Sequence, residues 1–191
     1  MKFTQIPTDT FKNLVLNAGI MVDEFTPNTG VIGNIIGATS GGINFTATPT
    51  YSDYGEDIDN CPKNAMELKK LDSWEAKLSG TLLSVTASTV SNLVGAADVE
   101  DIKVIPRNDI ATTDFKDIWL VCDYSEFNGE TNGGFVAIHL MNALSTGGFQ
   151  IQSSDKAKGT FAFEYTAHYS IANQDVVPFE IYVKAGTAET V

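Results

Sequence analysis

The 191 residues carry 12 basic and 24 acidic side chains. The resulting net charge of −12 repels phosphate backbones and leaves no basic stripe, which disfavours nucleic-acid binding but not a surface that DNA slides past. With 43% hydrophobic residues the chain can bury roughly 70% of its unfolded surface, enough for one domain spanning 1–191. No apolar run approaches the ~20 residues that cross a bilayer, and Met1-Lys2-Phe3-Thr4 does not open a signal peptide, so a cytoplasmic origin without a membrane anchor is expected. Cys61 in a polar loop and Cys122 in an apolar run predict free thiols.

Near the N-terminus, Thr8 or Asp9 can cap a short helix in which Phe11, Leu14, Val15 and Ala18 share one face and Gly19 is the stop. From Asp23 to Gly42, Pro27 and five glycines lie among scattered Val and Ile, a composition that predicts an arm packing along another surface. Residues 1–40 thus read as helix and arm.

Ile43, Phe45 and Ala47 then alternate with Asn44, Thr46 and Thr48 until Pro49, and Trp74, Ala76, Leu78 and Leu82 alternate with Glu75, Lys77, Ser79 and Thr81. Each strand is apolar on one side and wet on the other. The connection between them, Thr50 to Ser73, is far longer than a hairpin needs and holds Asp53, Glu56, Asp57 and Asp59 before a short helical stretch at 65–71. Thr86 starts a helix over 86–97 in which Val90, Leu93, Val94 and Ala97 recur at helical spacing, one face buried against a sheet.

Further strands are expected at Ile102 to Ile105, Phe115 to Tyr124, Phe135 to Leu144, Thr160 to Ile171 and Phe179 to Lys184, with turns at Asn128-Gly129 and Asn132-Gly133-Gly134. The expected fold is mainly β: an antiparallel β-sandwich with a flanking α-helix, a long loop and an N-terminal arm. In the Thr160 to Ile171 strand, Phe161, Phe163, Tyr165, Ala167, Tyr169 and Ile171 form the core side, and Ala162, Glu164, Thr166, His168 and Ser170 the wet side. A sheet of long half-wet strands can line a channel or form an ordinary exterior.

Catalytic chemistry has little to stand on. His168 falls on a wet face, where a solvated residue is the simpler reading, and His139 shares a face with Phe135, Ala137 and Met141, which suits a packed core or interface histidine. Neither has a Cys, Asp or second His at metal-ligand spacing. The acidic loop fails the EF-hand pattern, because counting from Asp57 the sixth position is Pro62 and the twelfth is Leu68. The glycines from Gly30 to Gly42 follow no strand and precede no Lys-Ser or Lys-Thr pair, so no phosphate-cradling loop is indicated. Asn44-Phe45-Thr46 matches a glycosylation sequon, but its asparagine lies in a strand. No catalytic residue, metal or cofactor is expected, and the protein is not expected to be an enzyme.

Several stretches resemble the major tail tube protein of siphophage-type bacteriophages and prophages. They are Ile6-Pro7-Thr8-Asp9-Thr10-Phe11-Lys12 with Leu16-Asn17-Ala18-Gly19, Gly41-Gly42-Ile43-Asn44-Phe45, and Asp59-Asn60-Cys61-Pro62-Lys63-Asn64 leading to Leu71-Asp72-Ser73-Trp74-Glu75. Near the end, Lys158-Gly159-Thr160-Phe161-Ala162-Phe163-Glu164-Tyr165-Thr166, His168-Tyr169-Ser170 and Val177-Pro178-Phe179-Glu180-Ile181 complete the likeness. The resemblance implies a virion structural protein, made in the host cytoplasm, whose hexameric rings stack into a hollow tail tube that conducts DNA during ejection without binding it specifically. It implies four strands per subunit in a shared lumen barrel, and a tape-measure protein, a tail terminator and baseplate or tail-tip proteins as partners. On that reading Glu75, Lys77, Glu164, Thr166 and His168 face the lumen, and residues 50–73, with Asp53, Glu56, Asp57 and Asp59, form the ring-stacking loop. The alternative is a β-sandwich adhesin or decoration domain that binds a host or capsid surface. A small hydrolase or lyase built on the acidic loop and a histidine is a further rival, without a convincing pair of groups to support it.

Overall fold

The computed structural model describes residues 6–124 and 133–186. In chain order the elements are β1 (Val15–Val22), β2 (Phe25–Thr26), β3 (Val31–Ile32), β4 (Thr39–Asp53), β5 (Lys69–Leu82), α1 (Ala87–Val94), β6 (Ala97–Glu100) and β7 (Lys103–Pro106). There follow β8 (Lys116–Tyr124), β9 (Phe135–Ser145), β10 (Gln150–Gln152), β11 (Thr160–Thr166) and β12 (Phe179–Lys184). The chain is mainly β, with one large antiparallel sheet and one α-helix, as the alternating patterns predict. No helix among the described residues is long and apolar enough to cross a membrane.

The large sheet has two halves. One runs β1-β8-β9-β12, the other β4-β5-β11-β10, and they join where Leu144 and Ser145 of β9 pair with Thr166 and Tyr165 of β11. The sheet folds over at this seam, because Phe179 of β12 meets Phe45 of β4 and Trp74 of β5 with ring centroids 5.7 and 5.6 Å apart. One core results: Met21, Ile118, Leu120 and Leu140 from the first half pack with Ala76, Leu78, Leu82, Phe163 and Tyr165 from the second, and Leu93 of α1 joins them. Burying each such side chain stabilises the fold by about 1.5–3 kcal/mol.

The first half also has a covered outer face. Phe25 of β2 sits edge-on against Trp119 and Phe135 at 5.6 and 5.1 Å, above Val22, Val121 and Ala137. The expected arm at 23–42 therefore folds back on its own body as the β2–β3 hairpin and then becomes the start of β4.

The expected N-terminal helix is not formed. Backbone donors at Thr10, Asn13 and Leu14 close turns onto Pro7, Asp9, Thr10 and Phe11, and from Val15 the chain pairs antiparallel with β8. Cross-strand pairing of Val15, Ile20 and Val22 outweighs a short helix, which is marginal alone. Between Leu16 and Ile20 β1 bulges relative to Asp123 and Val121, with Asn17 and Gly19 at φ of 69° and 72°. Gly19 is needed there, since a Cβ would lie 2.6 Å from Cys122 Sγ.

Pro49 does not end its strand: β4 continues to Asp53, with Pro49 opposite Trp74. The ring is tolerated because β4 is an edge strand, which among the described residues is hydrogen-bonded to β5 alone. As a result most of the expected Thr50–Ser73 loop ends are strand. Tyr51, Ser52 and Asp53 pair with Leu71, Lys70 and Lys69, and only 54–68 lies outside the ladder, with a 3-10 turn at Met66–Leu68 in place of the expected helix at 65–71.

Helix α1 is capped by Thr86, whose Oγ1 accepts the Thr89 N–H at 3.2 Å, and ends at Val94, short of the expected Ala97. Its buried face is Thr89 and Leu93, not Val90 and Val94, and the Thr89 hydroxyl is accommodated by Thr86 Oγ1 at 3.0 Å. The expected strand at Ile102–Ile105 is β7, paired with the unforeseen β6. Strand β11 stops at Thr166, not Ile171. The turn at Asn128-Gly129 lies outside the described residues, as does Asn132.

Candidate functional site

Alternation along β4, β5 and β11 sends every second side chain away from the core, and the pairing register gathers them into rows on the outer face of the second half. Thr46, Lys77 and Thr166 form one row; Asn44, Ser79 and Glu164 the next; Ser40, Thr81 and Ala162 a third. Thr48 stands opposite Glu75, and Gln150 of β10 stands opposite Ala162. The face is a lattice of hydroxyls and amides with three charges.

Those charges are mutually arranged. Lys77 Nζ donates to Glu75 Oε1 at 2.7 Å, and that pair, with Glu164 nearby, raises the ammonium above its ordinary pKa. Thr146 Oγ1 donates to Glu164 Oε1 at 3.0 Å and lies 2.8 Å from Thr166 Oγ1. Two carboxylates against one ammonium leave a face of low net charge, which neither binds a polyanion nor repels it strongly.

Glu75, Lys77, Glu164 and Thr166 are therefore brought together. His168 is not with them. Past Thr166 the chain leaves the ladder, and the His168 N–H donates to the Met141 carbonyl at 3.3 Å while its ring contacts Phe115 at 5.2 Å. Nδ1 lies 3.2 Å from the Asn142 carbonyl, so His168 secures the β9 end and does not extend the polar rows.

This half of the sheet also has two open edges. Among the described residues β4 pairs only with β5, and β10 only with β11. An uncapped edge as long as β4 is a template for another strand, the kind of surface that soluble monomers usually cover or break.

The arm formed by the distal ends of β4 and β5 contributes no side chain to either core cluster. Asp53 closes its tip: Oδ1 accepts the Gly55 N–H at 2.9 Å and Oδ2 the Asn64 N–H at 3.0 Å. Glu56, Asp57 and Asp59 are exposed beyond it. Among the described residues no group of three His, Cys, Asp or Glu side chains could hold a metal ion. Tyr51, Tyr54, Ile58, Leu71 and Met66, the last 81% exposed, give the arm an exposed apolar surface.

His139, the other titratable candidate, stacks on Trp119 with ring centroids 3.9 Å apart and an interplanar angle of 5°. Its Nε2 lies 3.1 Å from Asp117 Oδ2 and its Nδ1 3.7 Å from Glu180 Oε2. It is a packing residue of the covered face. Sequence reading missed β10 and its Gln150 and Gln152; the Gln-Ile-Gln alternation was there, but three residues are too few to stand out. No protein-family model and no curated protein matches the chain.

Proposed function

We propose that this protein is a structural subunit that assembles with copies of itself into hexameric rings, stacked as the tail tube of a siphophage-type virion, and that it is not an enzyme. The observation that carries the reading is the half-sheet β4-β5-β11-β10: four strands, one face sealed in the core, the other polar and uncovered, both edges open. Joining β4 of one copy to the β10–β11 edge of the next closes such half-sheets into a continuous barrel and removes the exposed edges. The polar rows bearing Glu75, Lys77, Glu164 and Thr166 then line the channel. DNA, with about one negative charge per 1.7 Å of axis, would stick to a cationic wall, and a hydroxyl-rich wall of low net charge lets it pass. The arm, with its uncovered Tyr51, Tyr54, Ile58, Met66 and Leu71, reaches the adjoining ring. Tape-measure, terminator and tail-tip proteins would be its partners in the virion.

One observation favours a second reading. Exposed Tyr51 and Tyr54 on one projecting arm also suit a β-sandwich adhesin or decoration domain that binds a host or capsid surface. A single cysteine at position 166, with Cys61 and Cys122 replaced, separates the two. Labelling by a bulky maleimide that is rapid in the free subunit and strongly suppressed in the assembled protein is expected for a channel position; equal labelling in both states refutes it.

A further inference from the structure

On the opposite side of the core from the polar rows lies a cavity of about 360 Å³, near the lower end of the range of ligand pockets. Helix α1 forms one wall through Ser88, Thr89 and Asn92; the segment before β4 and the start of β8 form the others; Tyr165 reaches it from β11. We propose that this cavity binds a small organic cation, an ammonium or guanidinium head on a short apolar stem.

Its lining is acidic on balance. Asp23, Asp114 and Asp117 line it against Lys116 alone, and the Lys116 ammonium is committed to Asn92 Oδ1 at 2.6 Å. Arg107 also reaches Asp114, at 2.6 Å; among the described residues Asp23 and Asp117 have no Lys or Arg within ion-pair distance, and Asp117 Oδ2 lies 3.1 Å from His139 Nε2. Both are held in fixed orientation. Asp23 accepts the Asn34 N–H at 2.7 Å and the Asn34 Nδ2 at 2.9 Å, and Asp117 accepts the Asn142 N–H at 3.0 Å. Each carboxylate oxygen retains a further acceptor site, so the pair is preorganised for a donor-rich guest.

Tyr165 supplies a second, independent sign that something is accommodated. The residue is 3% exposed, and its hydroxyl has no hydrogen-bond partner in the protein. Buried hydroxyls are rarely left so, and a guest or a trapped water resolves it. Burial pushes the phenol up to about 12, so it stays a neutral hydroxyl able to accept a hydrogen bond from a cation. Ile35, Ile36, Ile118 and Ala143 complete an apolar wall for the stem. An anion of the same size meets the wrong charge, and a neutral alcohol leaves the carboxylates unanswered.

Isothermal calorimetry on the full chain at fixed ionic strength, with butylguanidinium and butylammonium as probes and butanol and butyrate as controls, tests this. Saturable 1:1 binding of the cations is expected, abolished by Ser88→Trp, which places an indole from an exposed helix position across the mouth. Tyr165→Phe should weaken binding by about tenfold, one hydrogen bond's worth. Glu75→Gln, on the polar rows, should leave it unchanged. Should Ser88→Trp not fold, Asp23→Asn keeps the cavity's shape and should weaken cation binding alike. Absence of saturable binding, equal binding of butanol, or cation binding indifferent to Ser88→Trp and Asp23→Asn would overturn the proposal; the last would assign the effect to the general counterion cloud of an acidic protein.

Discussion

Tyr165→Phe isolates one oxygen atom in the middle of the core. The ring packs 5.8 Å from Phe163 and belongs to the main cluster, while the hydroxyl is buried without a partner. An unsatisfied buried polar group costs about 1–3 kcal/mol, and deleting it leaves a void of a single atom that costs less. The ligand-free variant should therefore match the wild type at neutral pH or exceed it by about 1–2 kcal/mol, roughly 2–8 °C in Tm for a domain of this size. A second signature appears at high pH. Burial raises the Tyr165 phenol to about 12, above the unfolded value near 10, so its contribution is fully present below pH 10 and is lost as pH rises toward 12. Across that interval the wild type should lose about 2–3 kcal/mol that the variant does not, on top of losses from other groups common to both. Urea unfolding of the two proteins in parallel at pH 7, 10 and 11.5 gives the difference directly. A variant less stable than wild type by more than about 1 kcal/mol at pH 7 would show that the hydroxyl has a partner, and parallel pH profiles would show that burial does not hinder its ionisation; either result refutes the reasoning.

Other consequences are as specific. Phe163→Asp, at a side chain 3% exposed and packed over Gly80, replaces an aromatic with an unpaired buried charge; a loss of at least about 4 kcal/mol is expected, seen as the absence of a cooperative unfolding transition. Replacing Thr50–Ser73 by Asn-Gly should leave a folded domain, since that segment adds nothing to either core cluster, while ring stacking is lost; an insoluble product would place the arm in the folding unit. Changing Glu164 and Thr166 together to Lys should alter Tm by less than about 3 °C and leave assembly intact, while DNA retention in a gel-shift assay of the assembled form rises; an unchanged affinity would put that face outside the channel.

Much of the sheet was legible because a half-buried strand repeats every two residues, and β8, β9, β12 and the Trp74–Leu82 part of β5 fall where their alternation predicts. The failures share a cause in long-range pairing. Phe11, Leu14, Val15 and Ala18 fit a helical spacing, yet Val15 and the residues after it had a partner strand a hundred residues away, and the bulge at Asn17 and Gly19 hides the two-residue period. Pro49 reads as a stop only if the strand is central; nothing local says that β4 is an edge. Alternation through Ile171 continues in the sequence past the point where β11 leaves β5, so His168 was placed with Thr166 although it binds the Asn142 end of β9. Glu75, Lys77, Glu164 and Thr166 could be assigned to a wet face strand by strand, but their gathering into rows depends on register, which no single strand encodes. The cavity beside α1 is built from six separated segments and carries no motif at all.

The central claim is that open edges on β4 and β10 exist to be joined by other copies. Negative-stain microscopy of the purified chain, concentrated stepwise at physiological salt, tests it most directly. The account predicts rings with a stain-filled central hole, or tubes of such rings, and their loss when the open edge of β4 is blocked by Ala47→Pro, a position whose N–H faces outward like the nitrogen of Pro49 and does not serve the ladder to β5. Dispersed monomers at every concentration, or assemblies indifferent to the β4 substitution, would contradict it.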